Sequence, residues 1–365
     1  MRKHITACCF SLFISICLVQ SATAFQADVV ADGLEHPWAI AFLPDGSMLV
    51  TERAGRLRVI DGDGQLLEQP VVGIPQAYVA SQGGLMDIAL HPEHEHNGWI
   101  YLSLAHGDRR ANTTRVVRGR LDGMRWTDNE VIFTAEPTRD TPVHYGGRLA
   151  FMNDGTLLIT LGDGFDYRED AQRLDSHTGT IVRVHDDGRV PFDNPFVDHD
   201  DALPEIYSYG HRNPQGIVVD PDTGRVWSHE HGPRGGDELN LIRAGENYGW
   251  PVATHGIDYS GARITPYTSR PGMVDPLIDW TPSIAPAGMS RYRGDLFPDW
   301  QGNLLVASLV ERTIRRIVLD GEQVVSDEPL GLELNRRLRD VRVGPDGALY
   351  VLTDEKVGEV LRIQR

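Results

Sequence analysis

One unit recurs along the chain: a short alternating apolar strand, a turn rich in Asp, Gly, Pro or Asn, and a second apolar strand. A single hairpin of this kind cannot bury its own apolar face, so the copies must pack on one another. The first copy is Ala39-Ile40-Ala41-Phe42, the turn Pro44-Asp45-Gly46 and Met48-Leu49-Val50. The second runs from Asp87–Leu90 through His91–Gly98 to Trp99–Leu104, and the third from Arg148–Met152 through Asn153-Asp154-Gly155 to Thr156–Leu161. The fourth is Gly216–Val219, Pro221–Gly224 and Arg225–Ser228. A looser fifth joins Ser290–Phe297 to Leu304–Ala307 around Gly302-Asn303, and the sixth is Val341–Val343, Pro345-Asp346-Gly347 and Ala348–Leu352. Six copies with Gly-rich connections and almost no helical periodicity predict an all-β fold, a six-bladed β-propeller, which limits exposed sheet edges by radial repetition. A β-sandwich is the competing architecture. Residues 25–35 are placed to add an outer strand to the last blade, and the long insertions 163–205 and 239–283 are expected to carry function.

The first 24 residues read as a secretory signal rather than as part of the fold. Arg2 and Lys3 precede an apolar run from Ile5 to Val19, which is short for a membrane span, and Ala22-Thr23-Ala24 offers a cleavage site. The mature chain, residues 25–365, is then a single exported domain, periplasmic or secreted. All three cysteines, Cys8, Cys9 and Cys17, lie in that leader, so disulfides and thiolate metal sites are excluded. Cleavage removes two positive charges and takes the net charge from −17 to −19. Such a body repels nucleic acid and anionic membranes, and a small ligand suits it better.

In an antiparallel hairpin, residues at equal offsets from the turn meet at the opposite end. His144 lies ten residues before Asp154 and Asp163 nine after it, so the two should meet. The fourth hairpin places Arg212 and His231 in the same way, Gln82 precedes the second, and Arg337 and Arg339 precede the sixth. If these hairpins are the inner strands of successive blades, all seven residues ring one mouth of the central channel. Three arginines there imply an anionic ligand, and a His/Asp pair has the form of a general base and its orienter. Taken singly, each residue has an ordinary role: His144 as a loop residue beside Gly-Gly, Asp163 as a turn former, the arginines as surface ion pairs. Their shared end of the hairpins is what favours a site. Gly235-Gly236-Asp237-Glu238-Leu239-Asn240, followed by Asn247-Tyr248-Gly249-Trp250-Pro251, offers oxygen ligands that suit calcium better than zinc, although its spacing is not that of an EF-hand.

At these positions the chain resembles the soluble pyrroloquinoline-quinone (PQQ)-dependent glucose and aldose sugar dehydrogenases. The likeness rests on Gln82-Gly83-Gly84-Leu85, His144-Tyr145-Gly146-Gly147-Arg148-Leu149, Gly162-Asp163-Gly164, Tyr209-Gly210-His211-Arg212-Asn213-Pro214-Gln215-Gly216, Gly232-Pro233 with Asp237-Glu238, and Arg337-Leu338-Arg339-Asp340-Val341. It implies a propeller that carries the quinone at its mouth and oxidises an aldose at C1 to a lactone. His144 would be the base, Asp163 its orienter, and Arg212 would face the quinone oxygens. Gln82, Asn213, Tyr259, Arg337 and Arg339 would contact cofactor or substrate. One calcium ion would be held partly by the Gly232 and Pro233 carbonyls, and another by Glu238 and the Tyr248 carbonyl.

Two positions depart from the glucose dehydrogenase pattern. Ser308-Leu309-Val310-Glu311-Arg312 lacks the expected lysine, leaving Arg312 as the candidate replacement cation, and His231 stands where a glutamine is expected. The resemblance also implies an external electron acceptor and leaves monomer or homodimer open. A calcium-dependent lactonase and a non-catalytic carbohydrate-binding propeller are the alternatives on the same fold.

Overall fold

The structure, a computed structural model, describes residues 25–330 and 334–364; the signal-peptide reading falls on residues 1–24, outside them. The chain forms six antiparallel sheets in succession, five of four strands and one of three. Their innermost strands are Pro37–Phe42, Leu85–Leu90, Leu149–Phe151, Pro214–Val219, Pro286–Arg291 and Leu338–Val343. Each packs on the next and the last returns to the first, which closes the ring of a six-bladed β-propeller. Helix among the described residues is confined to the single turn His94–Asn97 and two 3-10 turns, Arg168–Gln172 and Pro298–Trp300. None is long and apolar enough to cross a membrane.

All six expected hairpins are present as the first and second strands of the six blades. The fifth differs in detail. Its first strand is Pro286–Arg291, and the stretch toward Phe297 is a turn, because Tyr292, Phe297 and Trp300 bury one another there, with the Phe297 and Trp300 rings stacked at 4.2 Å. The strand Gln26–Leu34 pairs with Gly358–Gln364 as the outer strand of blade 6, where residues 25–35 were expected. Both ends of the described chain thus lie in one sheet, and that pairing closes the propeller.

The centre of the ring is filled by charge. Arg148, fully buried, donates to Asp340 at 3.1 Å, Asp87 at 3.4 Å and the Gln215 carbonyl at 2.8 Å. Arg342 completes the square through Asp340 at 3.0 Å and Asp87 at 3.1 Å. The Asp87 carboxylate also accepts from the Leu149 amide, and Asp340 from the Ile40 amide. Blade 5 joins by absence: a Cβ on Gly288 would lie 1.7 Å from Asp340 Oδ1. One buried network therefore touches all six blades.

Just outside this network the innermost strands break register. Five of the six carry a bulge near the mouth end, between Pro37 and Ala39, Leu85 and Ile88, Pro214 and Gly216, Pro286 and Met289, and Leu338 and Asp340. A bulge re-aims a side chain that regular alternation would send elsewhere. Trp38, Met86, Gln215 and Arg339, all within these bulges, line a cavity above the network.

Truncating Arg148→Ala leaves two buried carboxylates short of a cation and is expected to cost about 3–5 kcal/mol. Gly288→Ala must displace Asp340 and should cost about 1–3 kcal/mol. Arg362→Ala, on a surface ion pair, should stay within about 1 kcal/mol. Chemical-denaturation midpoints of the three variants check this order.

Candidate active site

His144 and Asp163 leave the inner hairpin of blade 3 at the mouth and meet there: Nδ1 lies 2.6 Å from Asp163 Oδ1, with both side chains buried. The backbone at His144 is held at φ +51°, a left-handed conformation rare outside glycine. Two side chains hold it there. The Gln82 Oε1 accepts from the His144 amide at 2.8 Å, and the buried Arg139 donates to the His144 carbonyl at 2.8 Å and to the Gly162 carbonyl at 2.8 Å. Gly162 permits this approach, since a Cβ there would sit 2.1 Å from the His144 carbonyl oxygen.

The Asp163 carboxylate is fully engaged. Oδ1 also accepts from the Phe165 amide at 2.8 Å, and Oδ2 accepts from the Trp250 indole N–H at 2.8 Å. Burial alone would raise its pKa, but the bonds and charge from His144, with Arg212 and the Phe165 amide, bring it below the ordinary range. Burial lowers the His144 pKa against the opposing pull of Asp163, and Arg212 and Arg139 lower it further. The pair is thus a neutral imidazole on an ionised carboxylate, with Nδ1–H donating and Nε2 left to accept a proton.

Around this pair the structure gathers most of the expected residues. Gln82, Asn213, His231, Arg337 and Arg339 line a cavity of about 250 Å³ whose wall includes Tyr145 and Gly146. Asp163, Arg212, Pro233, Trp250 and Tyr259 line another of about 290 Å³; the buried His144 lines neither, but its chain neighbours Tyr145 and Gly146 edge the first and its partner Asp163 the second. Arg212 donates to the carbonyls of His231 at 2.9 Å and Gly232 at 2.7 Å, while its buried Nε has no partner. His231 Nε2 sits 2.7 Å from the Pro286 carbonyl, and burial brings its pKa down to about 3. The Asn213 Oδ1 accepts from the Gly146 amide. Tyr259 is exposed and stacks on Phe165 at 6.1 Å.

Arg312 is not brought in. It lies on the same mouth loop as Leu309 and Val310, but its guanidinium turns to Asn335 at 3.0 Å and it lines none of the cavities at the mouth. The Gly232 and Pro233 carbonyls border a third, more open cavity. Glu238 lies behind them, on the strand Asp237–Ile242, where burial and the neighbouring Glu230 push its carboxyl well above the ordinary range. Tyr248 stacks on His211, which bonds Glu230 at 3.0 Å. Among the described residues no group of three or more His, Cys, Asp or Glu side chains is arranged to hold a metal.

Two neighbours of the site, Asp354 and Arg139, were missed in the sequence, and a third, Trp250, was named only within the candidate calcium segment. Asp354 ties Arg339 at 2.9 Å and Arg337 at 3.4 Å; burial would raise its carboxyl, but Arg339, His36 and Arg337 hold it far below the usual range. It follows the second strand of the last hairpin as Asp163 follows that of the third, so the same offset rule points to it. Arg139 and Trp250 lie outside the hairpins and that rule.

A propeller with a histidine–carboxylate pair and several cations converging on its mouth is built for proton-coupled chemistry on a small polar ligand. The chain matches the glucose/sorbosone dehydrogenase family over residues 34–362 and belongs to that family of sugar oxidoreductases. It is 42% identical to the aldose sugar dehydrogenase YliI of Escherichia coli, across 97% of this chain and 98% of that one. Identity to quinoprotein glucose dehydrogenase B of Acinetobacter calcoaceticus is 28%, across 90% and 85%. The PQQ-bound aldose sugar dehydrogenase of Streptomyces coelicolor superposes with a TM-score of 0.75 at 28% identity, covering 93% of this chain and 99% of that one.

Burial keeps His229, on the strand Val226–Glu230, well below the ordinary imidazole range. The unfolded chain binds that proton near pH 6.5 and the folded one only at much lower pH, so this group's contribution is intact above about pH 6.5 and is lost as pH falls. The stability of His229→Leu relative to the parent should therefore rise between pH 7 and pH 5, read from denaturant midpoints at each pH.

Proposed function

We propose that the protein is a PQQ-dependent aldose dehydrogenase that oxidises its sugar at C1 to the lactone. The observation that carries this reading is the neutral His144, whose partner Asp163 and neighbour Tyr145 each edge a cavity lined by Arg212 in the one case and by Arg337 and Arg339 in the other. The residues suit a planar tricarboxylated quinone. Arg337 and Arg339 can form charge-assisted bonds to its carboxylates, Gln82 and Asn213 can add polar contacts, and the unpartnered Arg212 Nε wants an acceptor. Bound there, the quinone would supply a two-electron acceptor for the hydride leaving C1.

His144 Nε2 would take the proton of the C1 hydroxyl, and Asp163 would stabilise the imidazolium that results. Arg212 would place positive charge beside the ligand oxygens. Its bond to the Gly232 carbonyl fixes the loop whose Gly232 and Pro233 carbonyls would hold a calcium ion. The crowded acids Glu230 and Glu238 favour a second cation, with the Tyr248 carbonyl as a further ligand. Aldoses are the substrates and an external acceptor reoxidises the cofactor. Residues 1–24 would direct export to the periplasm or beyond.

The cofactor-free protein, loaded with PQQ and calcium, should reduce a redox dye when given aldoses, and no reduction with any aldose would reject this reading. Lactone hydrolysis without quinone would point to a lactonase instead. His144→Ala should lower kcat about 10²–10⁴-fold while PQQ still binds. Arg339→Ala should weaken PQQ binding about 10–100-fold, since a charge-assisted bond is worth about 1.5–3 kcal/mol. Tryptophan-fluorescence titration reads both affinities, and equal affinity in Arg339→Ala would remove that residue from the cofactor site.

A further inference from the structure

We propose that Trp250 is a positioning residue of the proton-accepting pair, a third member that fixes Asp163 and through it sets the orientation and basicity of His144. This takes the His144–Asp163 pair as the base and so rests on the reading above.

The geometry is specific. The indole is buried, its N–H donates to Asp163 Oδ2 at 2.8 Å, and the other carboxylate oxygen is the one that holds His144. With the Phe165 amide on Oδ1, the carboxylate has a donor on each side and cannot rotate without breaking one. An indole N–H is donor only and does not titrate, so it can stabilise the carboxylate without ever taking its place as the acceptor of the His144 proton. The indole also lies beneath Arg212, whose guanidinium carbon is 5.3 Å from the ring centroid, so one side chain braces both neighbours of the base.

The loop that carries Trp250 is itself braced. The Trp250 amide donates to the Gly210 carbonyl at 2.9 Å, and the Trp250 carbonyl accepts from Gln172 at 2.7 Å. Gln172 in turn exchanges bonds with Asn247 at 2.8 and 3.0 Å. Such anchoring on both faces is more than ring burial requires, and it delivers the N–H to one oxygen of one carboxylate.

Removing the N–H leaves more of the Asp163 charge to stabilise the imidazolium, so the His144 pKa should rise. The charged and titratable groups that face His144 are Asp163, Arg139, Arg212 and His231, and Trp250→Phe replaces none of them; it removes only the indole bond to Asp163 and reduces the ring beneath Arg212. The phenyl ring keeps most of the packing. A second variant, with benzothienylalanine placed at position 250, exchanges the N–H for sulfur at nearly constant shape, and serves if Trp250→Phe does not fold.

Two measurements decide. NMR titration of His144 in the cofactor-free protein should show its pKa raised by about half a unit or more. In the loaded enzyme kcat should fall about 10–100-fold with KM for the aldose within about threefold, and the acidic limb of kcat should move to higher pH by the NMR shift. An unmoved His144 titration overturns the proposal, whatever happens to turnover. So does a raised pKa with unchanged kcat. If the parent oxidises no aldose, the functional reading fails, yet the NMR titration still supports or overturns the bracing of His144 by Trp250.

Discussion

The square of Arg148, Asp340, Asp87 and Arg342 at the propeller's axis is the interaction on which the remaining structure depends. Six sheets that pack radially leave a central channel whose walls are the inner strands. A polar filling there must satisfy itself, since Arg148, Asp87 and Asp340 are buried from water and an unpaired buried charge is costly. Each carboxylate here meets both guanidinium groups and a strand amide, so the four side chains are mutually neutralised. Burial still raises the Asp87 carboxyl, against the pull of Arg148 and Arg342. Because its members come from different blades, the network also fixes where one blade stands relative to the next. Arg148 further lies 4.0 Å from the centroid of the Trp38 ring, which lines the cavity and forms its floor over the square.

That floor explains the mouth above it. An innermost strand with perfect alternation would point every second side chain into the channel, where the square leaves no room for more. The bulges at Trp38, Met86, Gln215 and Arg339 release these side chains toward the mouth instead. Blade 3 does the same by other means. Its innermost strand carries no bulge, and its chain enters through His144, Gly146 and Gly147, all at positive φ. The strained backbone at His144 persists because Gln82 and Arg139 hold its amide and carbonyl from either side.

The fold was legible because a hairpin repeat with short turns has few ways to bury its faces, and six copies leave little besides a propeller. Much of the mouth was legible for the same reason, since equal offsets from a turn become neighbours in space. His144 and Asp163 were found in this way, and Asp354 could have been. The bulges and the axial square were not legible, because Arg148 and Asp340 look like any charged residue beside an apolar strand until the ring brings them together. Arg139 and Trp250 reach the site from irregular segments, whose paths depend on packing that no local pattern encodes. Arg312 is turned away from the cavities for a different reason. Its place in the sequence is right, but Asn335 offers its guanidinium a partner outside the cavity.

The net charge hides how the mouth works. An acidic body with an arginine-lined opening would attract anions only if those arginines were free, yet Asp354 ties both Arg337 and Arg339. A single carboxylate shared by two guanidinium groups leaves net positive charge while holding both side chains in place before any ligand arrives. The ordering cost is then met in the free protein, and an incoming anion exchanges contacts rather than immobilising long side chains. Arg212 is arranged likewise, held by the His231 and Gly232 carbonyls with its Nε unsatisfied. His231 itself, kept neutral by burial, adds a polar ring without adding a charge. On the proposed reading the mouth is thus pre-organised for an anion, while burial keeps His144 neutral and able to accept a proton.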